Sequence, residues 1–122
     1  MRLGPFCVRT ERMRIAAYQR SIGASGDDVP AAFPICWLAQ PEIRTLIEQT
    51  CGHRLPLHEG QTFEYMRPLE VDGEYRLSVT LNEETDPTRL VLRCEVATPT
   101  GEPRLRMETL LRLVAPAMEL SA

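Results

Sequence analysis

Few side chains here are suited to moving a proton or attacking a carbonyl, and they are scattered. The chain holds two histidines, His53 and His58, and four cysteines, Cys7, Cys36, Cys51 and Cys94. A carboxylate pair, Asp27 and Asp28, follows Gly26 in a turn-forming stretch. Imidazole is the side chain that titrates nearest neutral pH, so His58 is a candidate general acid or base. Asp27 is a candidate for binding or activating water, and either group needs a partner within about 3 Å to act. Each also has a plainer reading. Aspartates in glycine-rich turns commonly serve backbone N–H groups, and a histidine beside Leu57 at a strand start serves structure or solvent.

The cysteines form no C-x-x-C pair and have no histidine at metal-ligand spacing, which argues against a zinc site or a disulfide framework. Apolar neighbours surround each one, so all four are expected as core thiols. No metal site, phosphate-binding glycine loop or Ser/His/Asp arrangement is visible, and no cofactor is expected. The 14 basic residues are all arginine and the formal charge is −3. That balance lacks the basic footprint of a nucleic-acid binder.

At 122 residues the chain is read as one domain, 1–122, able to bury a single core. No apolar run reaches the length of a membrane span, and Met1-Arg2-Leu3-Gly4-Pro5-Phe6 lacks the apolar centre of a signal peptide. A cytoplasmic protein with no membrane partner is the expectation.

The elements that must position these groups fall into two halves. Thr10 is placed to cap a helix running to about Ser21, with Ile15, Tyr18 and Ile22 on one apolar face, widened by Met13, Ala16 and Ala17. The run Gly23 to Asp28 stops it, and the prolines of Val29-Pro30-Ala31-Ala32-Phe33-Pro34 exclude a regular helix there. A second helix is predicted over about Pro41 to Cys51, its face formed by Ile43, Leu46, Ile47 and Cys51, with Gly52 as its stop. Ile35, Cys36, Trp37 and Leu38 precede it as an apolar run.

From Leu55 the period changes to two. Phe63 and Tyr65 alternate with Glu64; Tyr75, Leu77, Val79 and Leu81 alternate with polar residues; Leu90 to Val96 and Leu105 to Leu113 repeat the pattern. Turns fall at Asp72-Gly73, Glu83 to Pro87 and Pro99 to Glu102. An antiparallel meander with one apolar face needs a cover, and the helix near 37–51 is the one available. The fold expected is α+β: a single hot-dog domain, an antiparallel sheet wrapped around a central helix. Leu110 and Val114, on the other face of the last strand, suit a dimer, and scattered surface leucines would account for them too.

On these residues a family resemblance can be stated. The segment Val29 to Pro34 resembles the proline-aromatic-proline entry to the central helix of MaoC-like acyl-thioester dehydratases. Leu57-His58-Glu59-Gly60-Gln61-Thr62-Phe63-Glu64-Tyr65-Met66-Arg67-Pro68-Leu69 is similar to that family's Leu-His, Gln-x-Phe and Arg-Pro-Leu run. The resemblance implies reversible addition of water to an α,β-unsaturated CoA or acyl-carrier-protein thioester, giving the (R)-3-hydroxyacyl product. An Asp and a His on a Gly-Asp-x-Asn-Pro-x-His loop perform it, with backbone N–H groups at the central helix polarising the carbonyl.

This chain departs from that pattern at the loop. Asp27 matches the aspartate, but the histidine position falls on Ala32 or Phe33. The resemblance therefore implies the non-catalytic half of a two-domain hydratase. This chain would shape the acyl pocket through Phe33, Trp37 and Leu38, with Arg67 first among Arg54, Arg67, Arg104 and Arg106 for the carrier's phosphates. A hetero-oligomer with a catalytic hot-dog subunit follows, or otherwise a homodimer. Three alternatives stand beside it: a self-sufficient homodimeric hydratase, an acyl-thioesterase using Glu42 or Glu48, and a non-enzymatic acyl-thioester-binding module.

Overall fold

A computed structural model describes residues 1–115 of the chain. Its strands are β1 (Arg2–Arg9), β2 (Leu55–Tyr65), β3 (Glu74–Glu84), β4 (Arg89–Ala97) and β5 (Pro103–Val114). Its helices are α1 (Arg12–Ser21), a 3-10 helix (Phe33–Ala39) and α2 (Pro41–Cys51). The four strands expected from alternation form, as does α2, and one antiparallel sheet results, in the order β1-β3-β4-β5-β2.

Alternation explains the centre of that sheet. Tyr75, Leu77, Val79 and Leu81 of β3, Leu90, Leu92, Cys94 and Val96 of β4, and Leu105, Met107 and Leu113 of β5 are all buried. Ile43 and Cys51 of α2 are buried in the same core, with Leu46 and Ile47 packed against it. Burying each large aliphatic side chain contributes roughly 1.5–3 kcal/mol, so this face fixes which way every strand turns.

Three expectations are corrected. The strands from Leu55 onward are not a simple meander: β2 pairs with β5 rather than β3 and so lies at the far edge of the sheet. A period of two sets a strand's faces but not its neighbours. The opposite edge is β1, which pairs with β3 and shifts register between Leu3 and Phe6.

Thr10 does not cap α1. The N-cap residue is Glu11, without a side-chain cap bond. Instead the Arg12 N–H donates to the Asp72 carboxylate (3.0 Å), so the free end of α1 is served from across the fold. Thr10 is fully buried. Its hydroxyl donates to the Glu70 carbonyl and accepts from the Gly73 N–H, the latter at 2.8 Å. The predicted stripe on α1 is also narrower than its pattern: Ile15 is buried and Tyr18 packs on the core, but Met13 and Ile22 are exposed.

The third correction concerns the thiols. Cys51 and Cys94 are buried, whereas Cys7 and Cys36 are exposed. Burial pushes the Cys94 thiol up to about 12. Cys7 donates to Glu74 (3.0 Å), and this hydrogen bond raises its pKa because a thiolate would face a carboxylate.

Candidate functional site

Two helical segments face each other across a groove. Arg14, Ala17, Tyr18 and Ser21 fall on one side of α1 at i, i+3, i+4 and i+7, and Phe33, Cys36, Trp37 and Ala39 of the 3-10 helix line the other side, with Gln40 and Pro41 after them. Small side chains at Ala17 and Ala39 leave the two apart, and the space between measures about 550 Å³. This is the size of a small-molecule site.

Aromatic rings form its inner wall. Phe33 meets Tyr18 edge-on with centroids 5.7 Å apart, and Trp37 edge-on at 6.2 Å. Trp37 continues to Tyr75 of β3 at 6.4 Å, and its indole N–H donates to the Arg9 carbonyl (3.4 Å). The wall is thereby fastened to the sheet. Phe33 and Trp37 are only 2% and 3% exposed, so they are core residues whose edges border the groove. Leu38 is half-buried against the same core and does not line it.

The other candidates lie elsewhere. Asp27 and Asp28 are exposed in a loop whose carbonyls at Gly26 and Asp28 accept from the Gln19 amide (3.2 and 3.5 Å). Among the described residues no hydrogen bond reaches the Asp27 carboxylate. The Tyr65 hydroxyl donates to the Ala31 carbonyl (2.6 Å), fixing the chain after Asp28 beside the end of β2. Burial pushes that phenol up to about 12, which keeps it protonated. Val29, Ala31, Tyr65 and Arg67 border a second hollow of about 230 Å³, with Arg67 exposed at its side.

His58 sits roughly 23 Å along β2 from Tyr65, taking a rise of about 3.3 Å per residue. It is exposed, stands opposite Leu111 in the β5 register, and lies 3.4 Å from the Gln61 Oε1. That oxygen accepts a hydrogen bond from the buried Thr109 hydroxyl (2.6 Å). Asp27 and His58 share no hydrogen bond, so the fold does not join them into an acid–base pair. Glu42 and Glu48 are exposed on α2. Among the described residues no cluster of three metal-ligating side chains occurs, and no helix is long and apolar enough to cross a membrane.

Sequence reasoning missed Arg14, Cys36 and Gln40 as groove residues. The i, i+3, i+4, i+7 spacing marks the face of α1, but that this face opposes the 3-10 helix depends on the course of the loop from 23 to 32.

No protein family and no curated protein sequence matches the chain. Solved structures do. A chain of the truncated HadBC (3R-hydroxyacyl-ACP dehydratase) complex from Mycobacterium tuberculosis superposes with a TM-score of 0.71 at 12% identity, covering 91% of this chain and 93% of that one. The hot-dog-like protein from Thermanaerovibrio acidaminovorans gives 0.67 at 13% identity over 99% and 84%. A hypothetical thioesterase with coenzyme A from Streptococcus pneumoniae gives 0.60 at 7% identity over 89% and 76%. Likeness at such identities establishes architecture rather than activity. The chain has the hot-dog fold.

Proposed function

We propose that this chain is a subunit of a MaoC-like, (R)-specific enoyl-thioester hydratase, shaping the acyl-thioester pocket while a partner hot-dog subunit supplies the Asp/His dyad. The observation that carries the reading is a formed groove without a catalytic pair: an aromatic-walled cavity sits in one layer, while Asp27 and His58 stand unjoined. In this reading Phe33 and Trp37 wall the acyl site, Leu38 backs them, and Arg67 meets the carrier's phosphates. Asp27 and His58 act only alongside groups from the partner. The outer edge of β2, with Leu55 and Leu57 exposed, is the surface for that partner. The likeness to the HadBC dehydratase complex supports both the chemistry and a heteromer.

Affinity purification of the chain from its host tests this. The expected result is a stoichiometric hot-dog partner carrying Gly-Asp-x-Asn-Pro-x-His, and loss of enoyl-thioester absorbance only when both chains are present. A homodimer that hydrates unaided, or one that releases free thiol, overturns the reading.

A further inference from the structure

The groove between α1 and the 3-10 helix contains one feature that an apolar acyl chain does not use. Among the described residues Arg14 is the single charged one lining it, and no carboxylate does. Among the described residues Arg14 has no ion-pair partner. Tyr18, Ser21 and Gln40 add polar groups, while Phe33, Trp37 and Pro41 supply apolar surface. The lining therefore has an apolar wall and one unmatched positive charge, which complements a molecule with an apolar body and one anionic end. A guanidinium receives a carboxylate through two parallel hydrogen bonds.

From this charge complementarity we infer that the groove binds an unesterified acyl carboxylate, with the chain against Phe33 and Trp37 and the carboxylate on Arg14. The inference rests on the groove being an acyl site, as in the reading above, and adds that the free acid is itself a ligand. An occupant held this way would exclude an acyl chain from the same space, making the site responsive to free acid.

Two groups in the groove report on occupancy. Trp37 is the only tryptophan in the chain, so its fluorescence reads the aromatic wall directly. Cys36 is an exposed thiol lining the groove, and Cys7 is an exposed thiol outside it. Decanoate, decanol and decanoyl-CoA would be titrated against the full chain at neutral pH, following Trp37 emission and the rates of maleimide labelling at the two thiols.

The expected result is a saturable change in Trp37 emission with decanoate and slower labelling of Cys36 with Cys7 unaffected. Arg14→Gln should weaken decanoate by about tenfold, the cost of one charge-assisted contact at an open site. Arg14→Lys should restore part of it, and neither variant should alter decanol binding. Equal binding of decanol and decanoate, or decanoate binding indifferent to Arg14→Gln, would overturn the inference. A response to decanoyl-CoA but not to decanoate would also overturn it while leaving the thioester reading intact. Decanoate binding, together with affinity purification that recovers no dyad-bearing partner, would support the inference and remove the hydratase reading.

Discussion

The centre of the sheet and the rim of the molecule are held together by different means. At the centre, Leu77, Leu90 and Leu92 have no exposed surface, and cohesion comes from many apolar contacts of similar kind. At the rim, individual polar links tie loops, helix and strand edges together. Thr10 binds Gly73, Gln19 binds the loop at Gly26 and Asp28, and Glu59 bridges Arg112 and Arg89. Asp27, His58 and Arg67 all belong to the rim, and the groove opens there. Redundant packing tolerates little change of shape but does not depend on any one bond. A single clasp tolerates new shapes around it and fails when its own atom is removed.

The contrast can be broken first at the centre. Leu92→Ala removes a fully buried side chain and should cost about 2–5 kcal/mol, the range for cavity-forming core substitutions. Urea unfolding would measure it, and a loss below about 1 kcal/mol would mean that the centre relaxes as freely as the rim. Thr10→Val keeps the shape and deletes the hydroxyl. The Gly73 N–H and the Glu70 carbonyl lose their partner, for an expected loss of about 1–3 kcal/mol by the same assay. A neutral result would show that this buried clasp is dispensable.

The smallest effect is expected at Glu59. Its hydrogen bond from Arg112 holds the carboxyl below the ordinary value of 4.5, against a raising effect of burial, with the charges of Arg112 and Arg89 adding to the lowering. A depressed folded-state pKa gives stability that is present above the unfolded value and lost as pH falls through the folded one. The difference in Tm between the native chain and Glu59→Gln should therefore be present at pH 7 and shrink as pH drops below about 4.5. A constant difference across that window would assign the effect to shape rather than charge.

How much of this was legible in the sequence follows the same division. Alternation at Tyr75 to Leu81, Leu90 to Val96 and Leu105 to Leu113 reports burial directly, because each strand has one face on the core. The pattern at β1 is broken where the register shifts between Leu3 and Phe6, so no strand was read there. Neighbour order was hidden as well, since β2 meets β5 through contacts that leave no local period. Thr10 looked like a helix cap because its type fits, yet its partners Glu70 and Gly73 are sixty positions or more away. The segment around Phe33 and Trp37 forms its own 3-10 helix rather than the start of a buried helix, and α2 after it buries Ile43 and Cys51 while Glu42 and Glu48 stay exposed. Arg14 across from that segment was not legible, because opposition of two helical faces depends on the loop between them.

The exposed edge of β2 has a further consequence. Among the described residues its outer row of backbone N–H and C=O groups has no strand beside it, and Leu55 and Leu57 are about half exposed there, at 49% and 52%. An open strand flanked by leucines is a template for any extended segment that meets it, including a misaligned copy of itself. Covering that edge would therefore also guard newly made chains from aggregation.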